Sequence, residues 1–476
     1  MVRRMTATEK FETAGPEFAA GWAVWRAEIA DTIRLAVPMA LTQLGQISMM
    51  TTDLMLLGRL GDRVVAAAAL AHTVLFVGFT LGLGFMQAVA PLAAQAFGAR
   101  QPRMVRRALR VGLWAALLLG VPLTFLQFWT EPLLIAVGQA PEAARLAARY
   151  STGLSLCLVP SYLFMALRNF MSAVSRPEPA LWITLAAVPA NGVLAYALIY
   201  GAFGLPALDL LGAGIATSLI SLGMCTAAIW IASTRRPFRK YRVLGRLWRP
   251  DWRLLGRLVA VGAPISGAFL LEFGVFAAAA LVMGTIGTTA LAAHQIALQT
   301  AAVLFMVPFG VALAATVRVG QAAGRRDPSA SRRAGFTAIG LAAAFMTGMT
   351  LIVALCRSSI PLMFLGAEAA DAAETVALAS TLLIVGASFF IADGTQTVTA
   401  GALRGLNDTR LPLLFAAVSF WGVAFTSGLW LAFAAGLGAV GVWIGLSTGL
   451  IVYAALLLWR FQLLTRRGYL PAVPGA

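Results

Sequence analysis

The segment VPMALTQLGQISMMTTDLMLLGRLG, residues 37–61, and the segment APISGAFLLEFGVFAAAALVMGTIG, residues 263–287, stand at one offset of 226 residues. Pro38 aligns with Pro264, and Gly58 and Gly61 align with Gly284 and Gly287. The register continues without a gap. Ala66 and Ala67 meet Ala292 and Ala293, and Gly84 meets Gly310. Gln95, Gly98 and Arg100 meet Gln321, Gly324 and Arg326, and Arg106 and Arg107 meet Arg332 and Arg333. Chance pairing of Ala and Gly is cheap in such a chain, whereas Pro, Gln and three Arg at one offset are not. A shorter echo places Ala-Leu-Arg at 166–168 and again at 402–404. A self-repeat read before any fold is assigned constrains the architecture, and this one divides the chain into two copies.

The composition says where those copies reside. Of the 476 residues, 60% are apolar and only 12% charged, with a mean hydropathy of +0.84. Globular domains carry about 45–50% apolar and about 25% charged residues, so this chain exceeds what a soluble core absorbs. A helix that spans a bilayer needs about 20 apolar residues. Such segments are expected near 33–57, 64–97, 108–130, 146–174, 180–200 and 210–232, and again near 258–284, 289–322, 334–356, 376–402, 411–433 and 438–462. The expected fold is an all-α membrane protein of twelve transmembrane helices, in two six-helix lobes related by pseudo-two-fold symmetry.

The net charge of +17 would suggest nucleic acid in a soluble protein. Here the basic residues fill short gaps between apolar runs, so no nucleic-acid partner is expected. The gaps after the second, fourth, eighth and tenth segments hold Arg100, Arg103, Arg106, Arg107, Arg176, Arg325, Arg326, Arg332, Arg333, Arg404 and Arg410. The alternate gaps hold fewer positives, among Asp62, Glu131, Glu142 and Asp209. By the positive-inside rule both termini are cytoplasmic. Expected boundaries are a cytoplasmic segment 1–32, an N-lobe 33–234, a basic cytoplasmic linker 235–257, a C-lobe 258–462 and a cytoplasmic tail 463–476. Residues 1–34 lack the apolar core and cleavage site of a secretory signal, so the first apolar segment is expected to remain as a helix. Cys157, Cys225 and Cys356 lie in apolar segments and form no disulfide or metal pattern.

Three acids fall inside apolar segments: Asp53, Glu272 and Asp393. An ionised side chain at a helix centre costs about 2.5–3.5 kcal/mol on insertion scales, and such residues mark ion or substrate paths. At helical spacing, Gln43, Gln46, Met50 and Asp53 share one face. Phe269, Glu272 and Phe276 cluster on a second helix, and Phe389, Asp393, Gln396 and Thr397 on a third. A carboxylate beside aromatic rings suits an organic cation; with amide and hydroxyl oxygens it also suits Na⁺ or a proton. His294, with Gln295 and Gln299 nearby, is a polar packing residue or a titratable group. Asp53 aligns with Ala279, and Glu272 with Gln46, so the two copies differ in their chemistry. No Walker A, HExxH, GxSxG or CxxC pattern occurs, so ATP drive and enzymatic catalysis are not expected.

These residues resemble the multidrug and toxic compound extrusion (MATE) family in its NorM-like branch, over roughly residues 30–460. Residues 37–61, 263–298 and ADGTQTVTAGALRGLNDTR at 392–410 carry the resemblance. It implies a two-lobed antiporter that exports cationic and aromatic compounds in exchange for Na⁺ or H⁺, without another cofactor, as a monomer in a bacterial-type inner membrane. It places the cation-site carboxylates at Glu272 and Asp393, with Na⁺ as the metal they would hold, and the first-helix acid at Asp53. It also places a polar N-lobe residue at Asn191. The family commonly has Asn or Asp four positions after that residue, where this chain has Ala195, which shifts weight to the C-lobe carboxylates. Substrate contacts are expected from Phe269, Phe276, Phe389, Gln396, Thr397, Gln46 and His294. The alternative is a lipid-linked oligosaccharide flippase of related fold. That would need cavity bases to hold pyrophosphate, whereas Arg168 and Arg318 lie towards the ends of their segments.

Overall fold

Pro, Gly and acidic caps punctuate the apolar runs and set where each helix starts. In the computed structural model the described residues are 7–471, except 205, 244, 246 and 366–372; no side chain before residue 23, nor that of Asp62, is described. Among them there is no strand. The N-lobe spans are Ala7–Gly58, Asp62–Gln87 continued by Val89–Gly98, Pro102–Gln127, Pro141–Leu154 with Leu158–Ala173, Glu178–Tyr200 and Asp209–Thr234. The C-lobe spans are Trp252–Ile286, Thr288–Gly324, Pro328–Leu355, Ala373–Gly405, Arg410–Ala434 and Gly438–Arg466. Twelve spans in two lobes is the architecture expected from the repeat.

Several helices begin well before their apolar segments. The seventh starts at Trp252 because the Asp251 carboxylate accepts from the Leu254 N–H (3.3 Å). The ninth starts at Pro328 because Asp327 caps the Ala330 N–H (2.9 Å). Such caps satisfy backbone donors that have no partner in the first turn. The Ala330 N–H, followed by the Ser329 hydroxyl, holds the half-buried Asp327 carboxyl below its ordinary range. Hydropathy marks the hydrocarbon-facing part of a helix, and caps mark its ends. Among the described residues from Arg235 to Asp251, within the basic stretch, the short 3-10 helix Phe238–Tyr241 is the only helix.

The first helix is 52 residues long yet stands outside the ten that pass a length-and-hydropathy test for spanning. Gln43, Gln46, Asp53 and its threonines dilute its apolar character. The fourth span is broken, with its halves bent by 48°. Pro160, in the first turn of the second half, has no N–H to continue the ladder across the break. The eleventh span carries two π-helical stretches, Ala417–Phe425 and Trp430–Ala434.

The two lobes meet through their repeat-related glutamines and glycines. Gly98 faces the Gln321 carbonyl, and Gly324 faces the Gln95 carbonyl; a Cβ at either glycine would overlap that backbone. Each copy therefore presents the same two residues to the other, which is how a two-fold interface is built. The glutamine side chains tie the crossing. Gln95 Nε2 donates to the Gly405 carbonyl (2.9 Å), and Asn407 Nδ2 donates to Gln95 Oε1 (2.9 Å). Gln321 Nε2 donates to the Ala173 carbonyl (2.9 Å) and to Ser175 Oγ (2.8 Å). Small residues permit such backbone approach in membranes, where van der Waals packing drives association.

Further ties lie on the same side. Ser266 Oγ donates to the Leu81 carbonyl (2.6 Å), and Arg404 Nη1 donates to Gln87 Oε1 (2.8 Å). Arg318 of the eighth span pairs with Glu28 (2.5 Å) and Asp31 (3.1 Å) in the N-terminal half of the first. Among the described residues, no hydrogen bond from the second span to the C-lobe lies nearer Asp62 than Leu81. A separate apolar cluster at that other end, including Leu57, Ala71, Tyr150, Ile199 and Leu210, is built from N-lobe residues alone.

Replacing Gly324 by Leu should force the crossing apart, at about 1–3 kcal/mol for overpacking. Thermal unfolding of the purified protein should move to lower temperature. Gly340→Leu, at an open position, should leave it unchanged, and equal midpoints for the two variants would contradict the close crossing.

Candidate cation and substrate site

Each lobe buries one constellation of acids and amides, and the two are built differently. In the C-lobe, Glu272 comes from the seventh span and Asp393, Gln396 and Thr397 from the tenth; all four are buried. Asp393 and Gln396 are three residues apart on one helix and so share a face. Gln396 Nε2 donates to Glu272 Oε1 (3.0 Å) and to Asp393 Oδ1 (3.1 Å). One amide group thus serves two carboxylates. Two like charges in so small a low-dielectric space repel, and a cation or proton shared between them relieves that repulsion. Arg404 lies within electrostatic reach of Glu272, while its guanidinium sits 4.9 Å from the Phe269 ring centroid.

The chemistry of the donors fits a small hard cation, which takes oxygen ligands. Thr397, one turn beyond Asp393, has a buried Oγ1 with no hydrogen-bond partner. Among the described residues no three His, Cys, Asp or Glu side chains gather as ligands. A metal ion here would therefore be held by the two carboxylates with neutral oxygens.

In the N-lobe, Asp53 accepts from Asn191 Nδ2 of the fifth span (2.6 Å) through one oxygen, and from Thr217 Oγ1 of the sixth (2.9 Å) through the other. The structure thus brings together Asp53 and Asn191 and adds Thr217, for which the sequence carried no periodic or motif signal. Ala195 is fully buried nearby on the same helix. The face expected on the first span divides. Gln43 and Gln46 accept from Arg168 Nη1 of the fourth span (2.6 and 3.2 Å), while Asp53 turns to the fifth and sixth. Met50 is exposed.

The aromatic residues also separate. Phe276 meets Phe389 edge-on (5.9 Å between centroids), and Phe389 lies 5.3 Å from Trp443. Trp443 Nε1 donates to His294 Nδ1 (3.1 Å). His294 is wholly enclosed, so its nearest role is to fix this belt. Phe269 lies apart, against Phe273 and Phe309. Phe389 and Phe269 are only 1% and 5% exposed, so each packs in the core as it stands. Trp443 and Arg404 are the participants that periodicity did not single out. The sequence put Arg404 in the basic gap after the tenth segment and in the Ala-Leu-Arg echo; the structure sets it inside the tenth span, Ala373–Gly405.

Comparisons with known proteins identify the family and the fold. The MatE family profile matches residues 38–197 and 264–430, one block in each repeat. The chain is 61% identical over 473 residues to a probable multidrug resistance protein NorM of Rhodopseudomonas palustris, covering 99% of this chain and 100% of that one. It is 59% identical over 440 residues to a probable multidrug resistance protein NorM of Bradyrhizobium diazoefficiens, covering 92% and 94%. The crystal structure of the eukaryotic MATE transporter AtDTX14 superposes with a TM-score of 0.83 at 22% identity, covering 93% of this chain and 98% of that one; that likeness concerns the fold. With the family profile on both repeats and NorM relatives over its whole length, the chain belongs to the MatE family of membrane transporters, in its NorM-like branch.

Proposed function

We propose that the protein is a multidrug efflux antiporter of the bacterial inner membrane, exporting organic cations in exchange for Na⁺ or H⁺ by alternating access. The observation that carries this reading is the pair Glu272 and Asp393, two buried carboxylates bound to one amide donor. A drug cation and a coupling ion would compete for that charge. Exchange is obligatory when each ligand binds the two conformations with different affinity. The aromatic belt of Phe276, Phe389 and Trp443 beside the acids suits the apolar part of a lipophilic cation, and Gln396 and Thr397 supply polar contacts. The monomer within its lipid is the working unit in this reading.

With the basic gaps inside, the Gln95–Gln321 crossing would close the cytoplasmic mouth, and the other end, beyond the Phe76–Phe273 contact between the lobes, would be the one that opens outward. External Na⁺ or H⁺ then reaches Glu272 and Asp393. The repeats share one orientation, as in transporters that rock two lobes about an axis along the membrane normal.

Asp53 has a different part in this scheme. Each of its oxygens already has a donor, so its negative charge is satisfied from within the lobe. It would brace the first, fifth and sixth spans, and the C-lobe pair would carry the exchange.

Ethidium efflux from proteoliposomes tests the reading under separately imposed Na⁺ and H⁺ gradients. One gradient should drive efflux, identifying the ion, and Glu272→Gln and Asp393→Asn should each slow it by about tenfold or more, since each removes a desolvated charge. Folded wild-type protein that moves no dye under either gradient would overturn the proposal. In the same assay Asp53→Asn should slow efflux by less than about threefold, and Asn191→Ala should chiefly lower thermal stability, by about 1–3 kcal/mol for a buried acceptor left short of a donor. An Asp53→Asn variant as inactive as Asp393→Asn would assign Asp53 to coupling instead.

A further inference from the structure

The two lobes keep the same arginine, and only one lobe has an acid to face it. Arg168 and Arg404 end the two copies of Ala-Leu-Arg. Arg168 Nη1 donates to Gln43 and Gln46. The repeat sets Gln43 at the position of Phe269 and Gln46 at the position of Glu272. Arg404 correspondingly lies over Phe269 and interacts with the charge of Glu272. Each arginine therefore faces the same two positions, one helical turn apart, on the first helix of its own lobe. In the C-lobe the second of them is a carboxylate. In the N-lobe it is a neutral amide.

Among the described residues, that substitution leaves Arg168 without an internal counter-charge. The residue is only 5% exposed, and its Nε has no hydrogen-bond partner. Among the described residues it forms no ion pair. Amide oxygens offer dipoles but no charge. A cation buried inside a membrane usually has a charged partner or marks a ligand path. A guanidinium with unused donors matches the two oxygens of a carboxylate in a planar, bidentate fashion. Gln46 is only half-buried, so the cluster has an accessible edge.

We propose that Arg168, with Gln43 and Gln46, forms an anion subsite that takes the carboxylate of a zwitterionic substrate while its cationic group goes to Glu272 and Asp393 in the other lobe. This rests on the export reading above and extends it to a substrate class. The N-lobe site supplies one unbalanced positive charge. The C-lobe site holds two carboxylates, with Arg404 within electrostatic reach of Glu272 alone. A compound bearing both charges on one rigid ring system bridges the lobes, and binding it spans the surfaces that rocking separates. An organic cation without the carboxylate uses the C-lobe alone.

The test compares a rhodamine carrying a free carboxylate with its methyl ester, by fluorescence anisotropy on full-length protein in nanodiscs and by gradient-driven export from proteoliposomes. Arg168→Gln should weaken binding of the carboxylate dye by about tenfold or more and leave the ester within about twofold. Arg168→Lys should restore part of the loss. Gln46→Glu copies the C-lobe arrangement and supplies an internal counter-ion without removing the arginine. It should lower affinity for the carboxylate dye alone, and it keeps the test decisive if Arg168→Gln fails to fold. Equal shifts for the two dyes would make Arg168 a structural strut and overturn the subsite, as would no shift for either dye. Wild-type protein that exports neither dye under any gradient would instead sink the export reading; wild-type export with unselective variants sinks only the subsite.

Discussion

A charged or strongly polar side chain in hydrocarbon has to find its partner inside the protein, because the surrounding lipid offers none. That requirement organises the interior of this transporter. Asp53 is met by Asn191 and Thr217 from two other helices, which locks three spans of the N-lobe together. Glu272 and Asp393 draw the seventh and tenth spans onto one amide, Gln396. Arg404 reaches across to Gln87 and covers Phe269. The scarce polar groups thus choose which helices touch, while the plentiful apolar ones only require that some helix be touched.

The same requirement explains why the lobes join as they do. Gln95 and Gln321 place amide donors on backbone carbonyls across the interface, and the glycines one turn away let the backbones come close enough. Amide-to-carbonyl bonds are uncharged, so they can be broken without stranding an ion in lipid. Such an interface could part without leaving a charge unpaired, as the proposed exchange between two conformations requires. Ionic ties also exist there, at Arg318 with Glu28 and Asp31, but Asp31 is 57% exposed, where water weakens such pairs.

Symmetry in the backbone and asymmetry in the chemistry are therefore separate features. The repeat preserves Pro, Gly and Gln at the points where helices bend or cross. It varies the positions that face the lobe interiors: Gln46 against Glu272, and Asp53 against Ala279. The first set maintains the frame about which the lobes would move. The second set makes one lobe acidic where the other is not.

Read alone, the sequence determined the membrane setting, the helix number, the two copies and the three buried acids, because each rests on local composition or on self-similarity along the chain. Even the glycine-and-glutamine crossing was visible as a repeat, though not as a contact. Tertiary structure decided the partners. Periodicity put Gln46 and Asp53 on one helical face, but neighbouring helices arrive at different angles, so one amide holds Arg168 and the acid turns to Asn191 and Thr217. His294 could be a titratable group or a packing residue by sequence; the approach of Trp443 from the twelfth span makes it an acceptor inside an aromatic belt. Partner choice between distant helices depends on three-dimensional distance, and distance between spans leaves no periodic trace in a single chain.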